Sequence, residues 1–214
     1  MPGQPEIRHP LFARFYVRTS ASMEAAGIAD HRARLLAGLT GSVLEVGAGN
    51  GLNFSHYPEA VTSVLAVEPE GYLRELAEQK ARQAGLPISV VDGTAERLPA
   101  PDGTFDAVVA TLMLCSVRDV AVVLAEMKRV LKPGGELRFM EHVLAEQRGH
   151  QRIQRFLDAT IWPRMFGGCH TSRDAAAQIA AAGFDIKDAA RYRFPQTRVF
   201  VPTSPHVQGV AIRP

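Results

Sequence analysis

The sequence predicts an α/β fold: a doubly wound, mostly parallel, seven-stranded sheet with helices on both faces and a helical N-terminal lid. Three observations predict it. Val43-Leu44-Glu45-Val46 reads as a buried strand that runs straight into a glycine-rich turn, Gly47-Ala48-Gly49-Asn50-Gly51. From Ser42 onward, apolar strand-like runs alternate with helical stretches, a pattern that favours parallel strands joined by right-handed crossovers. Two further strand-like runs close the chain after the last helix.

Taken in order, residues 1–40 read as a helical prelude, with Phe12, Phe15, Tyr16 and Met23 in one apolar stretch and Leu35, Leu36 and Leu39 in another before Gly41. Strands are expected at 43–47, 63–68, 88–91, 105–111 and 135–142, and helices near 52–57, 71–84 and 119–131. The last of these helices carries Val120, Val123, Leu124, Met127, Val130 and Leu131 at helical spacing and ends before Pro133-Gly134-Gly135. Ile153, Phe156, Leu157, Ile161, Trp162 and Phe166 make 151–166 an amphipathic helix, whose apolar stripe suits either core packing or a cover over a substrate. Ser172 is the expected N-cap of an alanine-rich helix that stops at Gly183. Strands over about 184–193 and 198–212 follow, joined through Pro195.

Composition narrows the function classes. A formal net charge of +2 and no Lys/Arg block disfavour a nucleic-acid partner. Cys115 and Cys169 are too few for a disulfide framework and carry no metal-ligand spacing, so they are expected to be lining or core residues in a reducing, cytoplasmic setting, and no metal is expected. No apolar run reaches the ~20 residues of a membrane span, and the N-terminus shows no signal-peptide pattern, so no membrane partner is expected.

The glycine spacing discriminates between ligands. A dinucleotide fingerprint needs two residues between its second and third glycines, whereas Asn50 alone separates Gly49 from Gly51. With Glu45 in the strand, the turn resembles motif I of the class I S-adenosylmethionine-dependent methyltransferases, whose sheet is Rossmann-like. Glu68, with Pro69 beside it, ends the second strand 17 positions after Gly51, where a carboxylate can accept both hydroxyls of a ribose. Val91-Asp92-Gly93-Thr94-Ala95-Glu96-Arg97-Leu98-Pro99 resembles the loop that cradles adenine, with Thr94 where many relatives carry aspartate. Thr111 and Leu112, at the carboxyl end of the fourth strand, fall beside the ligand crevice. The Lys132-Pro133-Gly134-Gly135 turn resembles another hallmark and sits at the opposite edge of the sheet, in a structural role. The resemblance implies a cofactor site of Glu45, Gly47, Ala48, Gly49, Asn50, Gly51, Asn53, Glu68, Pro69, Thr94, Ala95, Thr111 and Leu112, with Tyr16 closing over it. It also implies a single domain over 1–214: a cap at 1–40, a cofactor-binding core at 41–142, substrate-covering helices at 143–183 and C-terminal strands at 184–214.

Within that superfamily, Thr111-Leu112-Met113-Leu114-Cys115-Ser116-Val117, Phe139-Met140-Glu141-His142-Val143 and Phe166-Gly167-Gly168-Cys169-His170-Thr171-Ser172-Arg173 resemble the small alkyl-thiol methyltransferases of the methyltransferase-like seven group. Its animal members carry an apolar N-terminal anchor, which is not read in residues 1–40. The expected partner is a small apolar acceptor, most simply a thiol, and the expected assembly a monomer or homodimer. A sulfonium methyl is already activated, so holding the acceptor in line is the main task. A thiol needs little more, because a few per cent is thiolate near neutral pH. His142, at the carboxyl end of the fifth strand, is the expected general base, since imidazole titrates near neutrality; His170, on a glycine-hinged loop, is the second candidate. A C- or O-methyltransferase of a quinone or natural-product scaffold is the alternative enzyme. A non-catalytic cofactor-binding module is the alternative of another class, and a dehydrogenase is disfavoured by the glycine spacing.

Overall fold

A computed structural model describes residues 10–214, with side chains from residue 12 onward; the start of the expected N-terminal cap, residues 1–9, lies outside the described residues. Two helices, α1 (Pro10–Met23) and α2 (Ala29–Leu36), are separated by a kink at Gly27 and precede the sheet. The alternating core then runs β1 (Gly41–Val46), β2 (Val61–Val67), α3 (Gly71–Ala81), β3 (Ile88–Val91), β4 (Phe105–Thr111), α4 (Val120–Val130) and β5 (Leu131–His142). Helices α5 (Arg148–Ala159), α6 (Trp162–Met165) and α7 (Ala175–Ala181) follow, then β6 (Asp185–Arg193) and β7 (Pro205–Ile212).

The sheet has seven strands in the order β3-β2-β1-β4-β5-β7-β6. Strands β1 to β5 are parallel, while β7 runs antiparallel to both β5 and β6. Strand order reverses between β1 and β4, so a crevice opens outside their carboxyl ends. Side chains alternate between two apolar layers. Leu44, Val46, Val108, Ala110, Leu137 and Phe139 face α4 and α7, with Leu124, Met127 and Ile179. Val43, Ala107, Val109 and Met140 face the other way, onto Ile28, Leu35, Leu36 and Phe54.

Several boundaries differ from expectation. The 52–57 segment is one 3₁₀ turn, Phe54–His56, because Asn53 is drawn into buried hydrogen bonds. The fifth strand begins at Leu131, not 135, and pairs there with Phe105. The last strand begins only at Pro205. Pro195 and Pro202 have no N–H to give a ladder, and the intervening loop is closed by Phe194 N–H on Ser204 O at 2.8 Å. Ser172 does not cap α7; Asp174 does, through Ala177 N–H, while Ser172 N–H and Oγ both donate to Asp158.

The 151–166 helix is two helices, broken at Thr160. Its stripe is not core, because Ile153, Phe156 and Ile161 stay exposed, Phe156 at 68%. The residue α5 buries is Gln154, fully enclosed. Gln154 Oε1 accepts from Ala145 N–H at 2.8 Å, and its amide nitrogen donates to the carbonyls of Val143, Thr171 and Pro202. Among the described residues no helix is long and apolar enough to cross a membrane. Because leaving a buried polar group without its partner costs about 1–3 kcal/mol, Gln154→Leu should lower the unfolding free energy by roughly 3 kcal/mol in urea titration. A loss within error would show that these loops satisfy their amides elsewhere.

Candidate active site

The candidate site is the carboxyl edge of β1, β2, β4 and β5. After β1, Gly47 and Ala48 N–H both donate to Val67 O, and Gly51 N–H closes the turn on Ala48 O at 3.0 Å. Gly49 has a φ of +57°, and a Cβ there would meet the Tyr16 hydroxyl at 3.2 Å, so the turn and the α1 ring pack closely only with glycine. Glu68 is buried. Its two oxygens accept Gly49 N–H at 2.7 Å and Glu70 N–H at 2.9 Å, which binds the turn to the end of β2. Burial pushes the Glu68 carboxyl up against the pull of these amides.

Glu45 and Asn53 belong to one buried network. Asn53 Nδ2 donates to Glu45 Oε1 at 3.0 Å and to Thr111 Oγ1 at 3.1 Å. Tyr57 donates to Glu45 Oε2 at 2.7 Å, and Arg32, paired with Glu24, donates to Asn53 Oδ1 at 2.9 Å. Both oxygens of Glu45 therefore bind protein, and the residue braces the turn from beneath. Burial pushes its carboxyl up to about 7. Pro69 carries a carbonyl that, with that of Glu68, accepts from Arg74. Arg74 also pairs with Asp92, leaving that carboxylate largely exposed. Thr94 and Ala95 lie in the turn after β3, where Arg97 N–H donates to Thr94 O. Leu112 has a φ of +56°, a left-handed backbone that a leucine adopts at a cost of roughly 1–2 kcal/mol, held by Leu112 N–H on Met140 O at 2.7 Å.

One residue at this edge was not read from the sequence as a site residue. Glu141, with no solvent exposure, accepts from the N–H groups of Met113, Leu114 and Cys115 at 2.9, 2.8 and 3.3 Å. Burial lifts its carboxyl to about 7. The signal available was a carboxylate inside an otherwise apolar parallel strand, Phe139-Met140-Glu141. The 113–116 turn it fixes lies on the glycine turn, since a Cβ at Gly47 would meet Met113 Cβ at 2.9 Å.

His142 and His170 come to different ends. His170 Nδ1 is bonded to Gly168 O at 2.7 Å within its own loop, and its backbone N–H donates to Cys115 O. The side chain meeting His142 is Cys169, with Sγ 3.7 Å from Nδ1. Cys115, Cys169 and His142 place their sulfur and nitrogen atoms within 4.8 Å of one another. The spacing of the two cysteines along the chain gave no hint of this. Cys169 is the acidic member, drawn down to about 5 first by the Cys115 hydrogen bond and then by His142, while Cys115 is pushed up. His142 also stacks edge-on against His206, which burial drives down to about 3. A groove of about 530 Å³ between α4 and α7, lined by Val120, Leu124, Lys128 and Arg213 among others, shares no residue with this edge.

Comparison with known proteins decides the family. A methyltransferase-domain model matches residues 44–139. A thiol S-methyltransferase of Rattus norvegicus is 36% identical over 80% of this chain and 70% of its own length. This chain belongs to the S-adenosylmethionine-dependent methyltransferases. A ubiquinone/menaquinone biosynthesis C-methyltransferase of Shewanella piezotolerans is more distant, 26% identical over 78% of this chain and 62% of its own. The fold matches the crystal structure of a protein from Bacillus halodurans with a TM-score of 0.72, at 16% identity, over 87% of this chain and 98% of that one.

The glycine turn of this methyltransferase suits a nucleoside cofactor. Asn50 Oδ1 is buried there and finds no partner among the described residues, a state that buried polar atoms rarely keep without a ligand or water. The network beneath sets a pH dependence. Because the folded Glu45 carboxyl titrates near 7 and the free one near 4.5, the folded chain holds a proton that the unfolded chain releases. That contribution is full below about pH 4.5 and is lost as pH rises through about 7. Glu45→Gln, which mimics the protonated acid, should therefore gain in melting temperature relative to the parent across this window. A pH-independent difference would mean that Glu45 is ionised in the folded protein throughout.

Proposed function

We propose that this methyltransferase transfers the methyl group of S-adenosylmethionine to the sulfur of a small apolar thiol. The observation that carries the reading is the group formed by Cys115, His142 and Cys169, next to the turn that packs on Gly47. The name of its rat relative supports the same acceptor class. In the proposed reaction the acceptor sulfur loses its proton and forms a bond to the methyl carbon, and the bond from that carbon to the sulfonium sulfur breaks with its electron pair staying on sulfur, leaving S-adenosylhomocysteine, a methyl thioether and one proton.

The residues of this chain divide the work. Glu68 receives the ribose hydroxyls, and its anchoring of Gly49 N–H keeps the turn in register for them. Asn50 supplies a further acceptor, Thr94 and Ala95 flank the base, and Thr111 and Leu112 line the approach. Tyr16 lies across the turn from α1, where an aromatic face favours a sulfonium cation. His142 stands where the acceptor proton is released. His170 fastens the 167–170 loop that delivers Cys169. Two buried, unbonded cysteines accord with a reducing compartment, and a cytoplasmic monomer or homodimer acting on a small molecule, with no nucleic acid or membrane partner, completes the proposal.

Two measurements test it. Glu68→Ala should weaken S-adenosylmethionine binding by at least about tenfold, or 1.4 kcal/mol, in calorimetric titration; wild-type affinity would remove Glu68 from the ribose site. Given S-adenosylmethionine and a panel of small thiols, phenols and quinols, the protein should form S-adenosylhomocysteine with the thiols alone, with the methyl thioether identified by mass spectrometry. A methyl group found on carbon or oxygen would place the chain with the quinone-type enzymes instead.

A further inference from the structure

We infer that Cys115, His142 and Cys169 form a zinc site with one open position, and that the acceptor thiol binds there as a metal thiolate. The inference deepens the thiol reading of the same site and rests on it for the identity of the fourth ligand.

The geometry is close to that of a metal centre. With Zn–S near 2.3 Å and Zn–N near 2.0–2.1 Å in a tetrahedron, sulfur and nitrogen ligands lie about 3.6 Å apart and two sulfurs about 3.8 Å. Cys169 Sγ stands 3.7 Å from His142 Nδ1, and all three donor atoms lie within 4.8 Å. The 4.8 Å span exceeds the tetrahedral sulfur–sulfur spacing by only about 1 Å. Two thiolates and an imidazole favour zinc over hard cations, and a Cys₂His set with a vacant fourth position is a donor set that catalytic zinc uses.

The chain also holds these donors from three separate segments. Cys115 sits in the turn whose amides end on Glu141. His142 is the last residue of β5, directly opposite His206 of β7. Cys169 arrives on a loop that passes so close to its neighbours that a Cβ at Gly168 would stand 2.8 Å from Ser116 O, and one at Gly167 2.6 Å from the Phe12 ring. His170 N–H on Cys115 O, at 2.8 Å, ties that loop to the 115 turn. The two cysteines are buried and form no disulfide with each other. Such convergence is more than a thiol pair in a core requires, since buried cysteine packs as a small hydrophobe with no need of a histidine.

Coordination would do what a general base otherwise does. A thiol entering the fourth position displaces water and loses its proton to solvent, because a coordinating thiol is deprotonated outright. Zinc keeps its charge of +2 and no electron is transferred. His142 is then a ligand, not a base, and the metal holds the acceptor sulfur in place for the in-line transfer already described.

The test uses the full chain, freed of metal by chelator and titrated with cobalt(II). One cobalt per chain, with a thiolate-to-metal charge-transfer band, tetrahedral visible bands and displacement by zinc, is the expected result. Cys115→Ser and Cys169→Ser should each weaken cobalt binding by more than about 100-fold, beyond the usual loss for an outer-shell partner, while S-adenosylmethionine binding shows the variants folded. X-ray absorption of the zinc-loaded parent, which needs no variant, should find two sulfurs and a nitrogen in the first shell. Absence of the charge-transfer band in the parent, or its persistence in the double cysteine variant, overturns the site. Thiol methylation at full rate by metal-free protein overturns the thiolate role and leaves the proposed function standing. Metal bound in the expected shell, with no thiol methylated, overturns the proposed function and leaves the metal site.

Discussion

A carboxylate with no solvent exposure survives in a protein only where donors surround it, and Glu141 has three, the successive amides of Met113, Leu114 and Cys115. The rest of the site depends on that arrangement. It fixes the turn after β4, sets Met113 against Gly47, and puts the Cys115 thiol in reach of residues from β5 and from the loop after α6. Leu112 can hold its left-handed backbone because the turn on one side and Met140 O on the other leave it no relaxed alternative.

The same device recurs across the carboxyl edge. Glu45 in β1 takes Asn53 and Tyr57, and Glu68 after β2 takes Gly49 and Glu70. Each buried acid sits beside the carboxyl end of a strand and fixes the loop that follows or adjoins it. Loops at this edge must be polar enough to bind a charged cofactor yet fixed enough to place a methyl group, and carboxylates that accept backbone amides meet both demands. Burial raises all three carboxyls, against the pull of the donors that surround them.

Around α5, side-chain hydrogen bonds replace apolar packing. Gln154 joins α5 to three carbonyls and an amide from three loops, and Asp158 holds Thr171 and Ser172 through both oxygens. The outward apolar residues of α5 thus contribute little to holding the Cys169 loop; the polar residues between them do that.

The sequence by itself determined the class of sheet, the strands that make it and the glycine turn. Strand and helix periodicities are local, and glycine spacing records backbone geometry directly, so Glu68 at the end of β2 and Gly49 in the turn are legible in the sequence. The Cys115–His142–Cys169 group was not, because its members stand 27 residues apart at each step and meet only when the β4 turn, the β5 end and the 167–170 loop fold together. Glu141 was hidden for the same reason, since what it binds lies on another strand's turn. Tertiary structure also decided against core packing for the apolar stripe of 151–166. Its periodicity announced helix, which the structure divides in two at Thr160, but periodicity cannot say which face turns inward, and a glutamine with four hydrogen bonds to offer took the buried place.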